Sequence, residues 1–257
     1  HLQLLTTIAT LVANKLKSIE AEDSLLQTQI EMYSISEQLS KAKLDALRSQ
    51  MNPHFIFNSL NAIQECILTN NVDAAYEYLS KFSKLQRMVL NNSQLELIPL
   101  SSEIEMLQLY LSLESLRFSK SFYYSINTEC HNALNEIMVP SLITQPIVEN
   151  ALWHGLRSKD GEKKLEIIYR ETEEEIIVII DDNGIGRIEA AYIKKKKLGS
   201  DSFTSKGTIL LQQRLNVLSQ QLKAEIKLIT EDKKDMAGNS LGTKVTISFP
   251  SNLENAE

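Results

Sequence analysis

The chain has 257 residues, 43% of them hydrophobic and 23% charged, with a formal net charge of −6. This is the composition of a folded globular protein and excludes a disordered one; the acidic balance argues against nonspecific nucleic-acid binding, which needs a basic footprint. Cys66 and Cys130 fit no metal-ligand spacing and read as thiols in a reducing compartment, and no apolar run reaches the roughly 18 to 20 residues of a membrane span.

The length allows one large domain or two modest ones. The chain starts at His1 without a methionine or signal peptide, already inside a helical pattern, and reads as a fragment of something longer. Residues 2 to 51 predict one long helix or two in tandem. Leu26, Ile30, Tyr33, Leu44, Leu47 and Met51 follow a 4-3 spacing, interrupted at Glu37 and Ser40. A seam that narrow suits a parallel coiled coil between two chains. Next comes "SQMNPHFIFNSLNAI", where Ile56, Leu60, Ile63 and Ile67 keep helical spacing although Pro53 sits inside the pattern and His54 follows it. Proline in a helix interior removes a hydrogen bond and costs roughly 3 kcal/mol, so its place beside a histidine asks for a reason.

Asn71, Val72 and Asp73 mark a turn and the start of a helix to about residue 92, carrying Leu79, Phe82, Leu85 and Val89. Pro99 and Ser101, with Glu103 nearby, open a third helix to about Phe118. These helices have no evident core but one another. Two antiparallel helices per chain, doubled in a homodimer, make a four-helix bundle. The second half changes character. "FYYSINTE" predicts a strand and "SLITQPIVENALWHGL" a helix; "KLEIIYRETEEEIIVIIDD" predicts two strands around a charged turn. A polar, lysine-bearing loop follows "NGIGR"; then come a helix, "TILLQQRLNVLSQQL", and two strands, "AEIKLIT" and "TKVTISF". The fold class predicted is α plus α/β: an N-terminal coiled coil and helical dimerisation bundle, then an α/β sandwich with helices on one face of a mixed sheet.

Three stretches of this half can carry chemistry. "IVENALWHGL" puts Asn150 and His154 one helical turn apart. "IDDNGIGR" ends a strand on Asp182 and then gives Gly184 and Gly186 at alternate positions. "SKGTILLQQRL" and "SLGTKVTISF" place Gly207 and Thr243 at the starts of elements. Each has an ordinary reading: a surface asparagine, a hairpin turn, a strand start. In this order, however, the set resembles the Bergerat ATP-binding fold over roughly residues 120 to 250. The resemblance implies that Asn150 ligates Mg²⁺ through its amide oxygen and that Asp182 accepts the adenine amino group. It also implies that Gly184 and Gly186 admit the nucleotide to the backbone, that Gly207 lets a lid offer a helix N-terminus to the phosphates, and that Thr243 backs the adenine.

"LRSQMNPHFIFNSLNAIQ" and "ITQPIVENALWHGL" together resemble the LytS-like sensor histidine kinases. In that family the histidine of Pro-His-Phe-x-Phe-Asn is the phospho-acceptor, here His54, and the second phrase is the nucleotide-binding N box, His154 included. The resemblance implies ATP and Mg²⁺ as cofactors, a homodimer, and a response-regulator receiver domain as partner. It also implies a cytoplasmic location, with no nucleic-acid partner and no membrane span in this stretch. Residues 1–44 would be a signalling helix, 45–119 the dimerisation and phospho-acceptor domain, and 120–257 the ATP-binding domain. "LQLLTTIATLVANKLKSIEAE" resembles the last helix of GAF sensory domains or is a plain amphipathic helix. Phe55 follows His54 where many histidine kinases carry an acidic residue, so Glu149, beside Asn150, is the candidate base. Asn58, four residues after His54, either places a water for dephosphorylation of the regulator or satisfies backbone loosened by Pro53. Two positions depart from the family: Ser205 replaces the first glycine of the lid, and Trp153 stands where many kinases carry lysine. An ATP-driven clamp or a non-catalytic scaffold remain the other readings.

Overall fold

Asn70 and Asn71 make the first sharp turn. Asn70 adopts φ +56°, and the Asn71 side chain caps the next helix by accepting from the Ala74 N–H at 3.2 Å. The helices joined there are α1, Pro53–Leu68, and α2, Val72–Asn92. The structure, a computed structural model, describes residues 53–93, 95–118, 121–198, 215–220 and 224–253, together with Met32, Gln212 and Leu222. The expected helix over 2 to 51 with its seam of Leu26, Ile30, Tyr33, Leu44, Leu47 and Met51, the GAF-like stretch, Ser205 and Gly207 therefore lie outside the described residues, Met32 apart. The chain divides into two compact units, His1–His54 and Phe55–Glu257. In the first, Met32, Pro53 and His54 are described, and all three are helical.

In the second unit α2 buries Ala75, Tyr78, Leu85 and Val89. The Phe55 ring of α1 lies 6.0 Å from Phe82 of α2. It lies 5.2 Å from Tyr110 of the third helix. That helix, α3 (Leu100–Ser115), follows a three-residue strand, β1 (Leu97–Pro99). Its buried residues, Leu100 to Glu114, share about half of the circumference, a broad core-facing side, while Glu105, Gln108 and Ser112 line the other half. Here the expectation of helices with no core but one another is corrected. α3 packs against α2 on one side and, on the other, against β1, β2 (Phe122–Glu129) and β3 (Met138–Pro140). β1 and β3 pair antiparallel, Ile98 opposite Val139; at three residues each they are too short to show a strand period in sequence.

A five-stranded mixed sheet carries the rest, in the order β2-β4-β5-β7-β6. Its remaining members are β4 (Lys163–Glu171), β5 (Glu175–Asp182), β6 (Lys227–Lys234) and β7 (Ser240–Pro250). β2 and β4 run parallel, Ile126 opposite Ile167; the other three pairings are antiparallel. Alternation places Leu165, Ile167 and Tyr169 of β4 and Ile176, Val178 and Ile180 of β5 in the core with Ile247 and Phe249 of β7. Between β3 and β4 lies α4 (Gln145–Asn150), continued by a π-helical turn over Ala151–Leu156 that contacts β4, β5 and β7. The predicted lysine-bearing loop after "NGIGR" is instead a helix, α5 (Arg187–Leu198). Alanine, glutamate and lysine are all good helix formers, so the run is polar without being irregular. Arg187, its first residue, pairs with Asp232 of β6 through two hydrogen bonds of 2.8 Å. Of the predicted helix over "TILLQQRLNVLSQQL", Gln212 and residues 215–220 are described and helical.

Candidate active site

β5 ends on two aspartates whose fates differ by alternation. Asp181 turns toward β6, where it pairs with Lys233. Asp182 points to the buried face with Ile176, Val178 and Ile180 and is only 4% exposed. Its Oδ1 accepts from the Gly184 N–H at 2.7 Å. The same oxygen accepts from the N–H of Thr243, its register partner in β7, at 3.3 Å. Burial pushes the Asp182 carboxyl up to about 6, against the pull of those two N–H groups. Among the described residues both bonds fall on Oδ1, which leaves Oδ2 as the oxygen for a donor from outside the chain.

Glycine lets the surrounding backbone close in on that carboxylate. A Cβ on Gly184 would lie 2.5 Å from the Gly155 carbonyl carbon and 2.7 Å from Asp182 Oδ1. Gly242, immediately before Thr243, has φ +115°, where an L side chain is strained and would strike the Asp182 backbone. The Gly155 carbonyl in turn accepts from the Ile185 N–H at 3.1 Å. The π turn and the loop after β5 are thus clasped backbone to backbone around Asp182.

The π turn follows from the way its two ends are held. The Arg157 N–H donates to the Leu152 carbonyl, five residues back, at 2.8 Å. Such turns are uncommon within helices and occur often at functional sites. At its upstream end, the buried Glu103 of α3 accepts from the Leu142 N–H at 3.2 Å and the Thr144 N–H at 3.0 Å. The Tyr169 hydroxyl donates to Thr144 Oγ1 at 3.2 Å. These bonds hold the segment entering α4, where Leu142 takes φ +55°. Downstream, half-buried Trp153 packs beside α3 and Arg157.

Residues 42–122, which include the Pro-His-Phe stretch, match the family described as Histidine kinase. The sensor protein LytS of Bacillus subtilis (strain 168) is 33% identical over 234 residues, 88% of this chain and 37% of that protein. The chain belongs to the LytS-like sensor histidine kinases. The sensor histidine kinase/phosphatase LytS of Staphylococcus aureus (strain Mu50 / ATCC 700699) is 31% identical over 199 residues, 76% of this chain and 33% of that protein. The chain spans about a third of the length of these curated relatives. Among solved structures, the histidine kinase domain of the Erythrobacter litoralis EL346 blue-light activated histidine kinase aligns with 58% of this chain and 60% of its own, at 17% identity and a TM-score of 0.37.

In this chain Asp182, Gly184 and Thr243 come together as one cluster. Gly186 lies in the same loop, with φ +76°. Asn150 is the last residue of α4, half-buried, and His154 sits exposed in the π turn. The even helical spacing expected of the pair is corrected: the helix widens immediately after Asn150. Glu149 accepts from Gln145 Nε2, one turn earlier, at 2.9 Å. His54 is the second residue of α1 and Asn58 is half-buried in the same helix. Sequence reasoning missed Gly155, Gly242 and Glu103. The glycine of "WHGL" and that of "SLGT" were there to be read, whereas nothing local to Glu103 announces its partners.

Proposed function

We propose that this chain is the signalling core of a two-component sensor kinase, which phosphorylates His54 from ATP and passes the phosphoryl group to an aspartate of a response-regulator receiver domain. The observation that carries the reading is the buried Asp182 carboxylate, one oxygen held by Gly184 and Thr243 and the other open to a donor. That arrangement fits an adenine amino group. The remaining residues fit the other parts of the nucleotide. Asn150 offers an amide oxygen to Mg²⁺, and Gly184 and Gly186 let the loop beside the nucleotide pack closely on Gly155 and Ser240. Gly207 in the lid, Thr243 behind the adenine and His154 beside the phosphates complete the set by family resemblance. Among the described residues no group of three or more His, Cys, Asp or Glu side chains could hold a metal by itself. This suits Mg²⁺, which is held largely by substrate phosphates and water. When bound, Mg²⁺ neutralises charge on the phosphates.

A histidine with an ordinary pKa near 6.5 is mostly neutral at cellular pH. An imidazole nitrogen of His54 attacks the γ-phosphorus in line; the bond to the β-γ bridging oxygen breaks, and ADP leaves with those electrons. Glu149 is the proposed base, and Asn58 the proposed water-positioning group for dephosphorylation of the regulator. ATP and receiver domains are both cytoplasmic, so we place this part of the protein there; among the described residues no helix is long and apolar enough to cross a membrane.

The experiment is incubation with γ-labelled ATP and Mg²⁺. Acid-labile, alkali-stable label is expected on the native chain and none on His54→Gln, with ATP affinity unchanged. Label retained by the variant sinks the acceptor assignment, and ATP turnover without any labelled protein favours an ATP-driven clamp. With the labelled protein and a receiver domain in hand, Asn58→Ala should transfer phosphate normally but slow its removal from the regulator. Unaltered removal would end that assignment.

A further inference from the structure

We infer that Trp153 is a positioning residue for the Mg²⁺ side of the nucleotide site, locking the π turn next to Asn150 onto α3. The inference rests on the proposed role of Asn150 as a Mg²⁺ ligand. Trp153 is the only tryptophan in the chain. Two guanidinium groups lie over its ring, Arg117 at 5.0 Å and Arg157 at 4.6 Å from the ring centroid. Arg117 is itself anchored. Its Nη1 donates to both carboxylate oxygens of Glu114, at 2.8 and 3.0 Å, and the Glu114 side chain is fully buried. A buried carboxylate stripped of its cation is strongly unfavourable, so Glu114 holds Arg117 in place. The buried Tyr110 hydroxyl, one turn earlier on α3, also meets Trp153. Arg157 belongs to the turn itself: its own N–H completes the π turn at the Leu152 carbonyl.

Trp153 therefore ties α3 to the downstream end of the wide turn. Gly155, two residues on, ties the same turn to the loop after β5. Asn150 sits at the junction where α-helical geometry gives way to π. Its side-chain direction depends on that junction staying where it is. The adenine end meets that turn at Gly155 but is held besides by the pairing of Asp182 with Thr243 on the sheet. A loosened Trp153 should consequently disturb Mg²⁺-dependent binding and spare the adenine end.

The test is calorimetric titration of the whole 257-residue chain with ATP, once with Mg²⁺ and once with EDTA, for the native protein, Trp153→Ala, Trp153→Phe, Arg157→Gln and Asn150→Ala. Taking one guanidinium away from the ring should weaken Mg²⁺–ATP binding about two- to fivefold, the equivalent of ~0.5–1 kcal/mol, with affinity in EDTA changed less than twofold. Trp153→Phe keeps an aromatic face and should recover most of the loss seen in Trp153→Ala. Arg157 is exposed, so Arg157→Gln decides the matter even where Trp153→Ala fails to fold. Equal losses with Mg²⁺ and EDTA in Arg157→Gln, or no loss in either, overturn the inference. If Asn150→Ala itself shows no Mg²⁺-dependent loss, the metal assignment falls instead, and the inference with it.

Discussion

Asp182 combines a thermodynamic cost with a proposed binding role. Its carboxyl is raised to about 6 by burial, whereas an unfolded aspartate titrates near 4. The folded protein thus binds the extra proton between about pH 4 and pH 6, and stability falls as pH rises through that window. The burden is absent below about pH 4 and complete above about pH 6, where it amounts to roughly 2–3 kcal/mol. Asp182→Asn keeps an oxygen for the Gly184 and Thr243 N–H groups while removing the charge. It should raise the urea midpoint at pH 8, with the gain vanishing near pH 4, and weaken ATP binding about tenfold or more. A destabilised Asp182→Asn at pH 8, or one that binds ATP normally, would contradict this account. The aspartate was legible in "IDDNGIGR" because strand alternation and the glycines are local signals. Its acceptor geometry was not, since Thr243 lies 61 residues further on.

At the scale of elements, α3 does what its sequence conceals. Glu103, near Pro99 and Ser101, reads as part of a helix start. The helix does start there, but the carboxylate reaches residues 39 and 41 positions away to hold the entry of α4. Glu103→Ala leaves the buried Leu142 and Thr144 N–H groups without that acceptor, and a buried unsatisfied donor costs about 1–3 kcal/mol. We expect a stability loss of about 2–5 kcal/mol in urea denaturation, with Glu103→Gln losing clearly less because its amide oxygen still accepts. Equal losses in the two variants would show that packing, not the hydrogen bonds, is what Glu103 supplies. α5 is the opposite case: its lysine run masked a helix that backbone propensity favours. The π turn has no sequence period of its own and follows from anchors at Trp153 and Gly155.

For the whole molecule, the helices keep much apolar surface in the open. Phe57, Leu60 and Ile67 of α1 and Tyr76, Leu79 and Leu90 of α2 are each at least 44% exposed. Burying such a face against a second copy gains roughly 25 cal/mol per Å², so we expect a homodimer at micromolar concentration by light scattering, and Leu60→Glu with Leu79→Glu to shift it toward monomer. A native monomer at that concentration would count against the bundle. The amino-acid sequence by itself determined the helices around Asn71 and Leu100, the strands of the five-stranded sheet and the two phrases, Pro-His-Phe and Asp-x-Gly-x-Gly, on which the proposed chemistry rests. Those are properties of neighbours along the chain: period, capping, turn residues. Tertiary structure decided the sheet order, the parallel pairing of β2 with β4, the opposition of Asp182 to Thr243, and the grip of α3 on the N box. Each of these joins residues tens of positions apart, and it is burial of a shared apolar face that selects them.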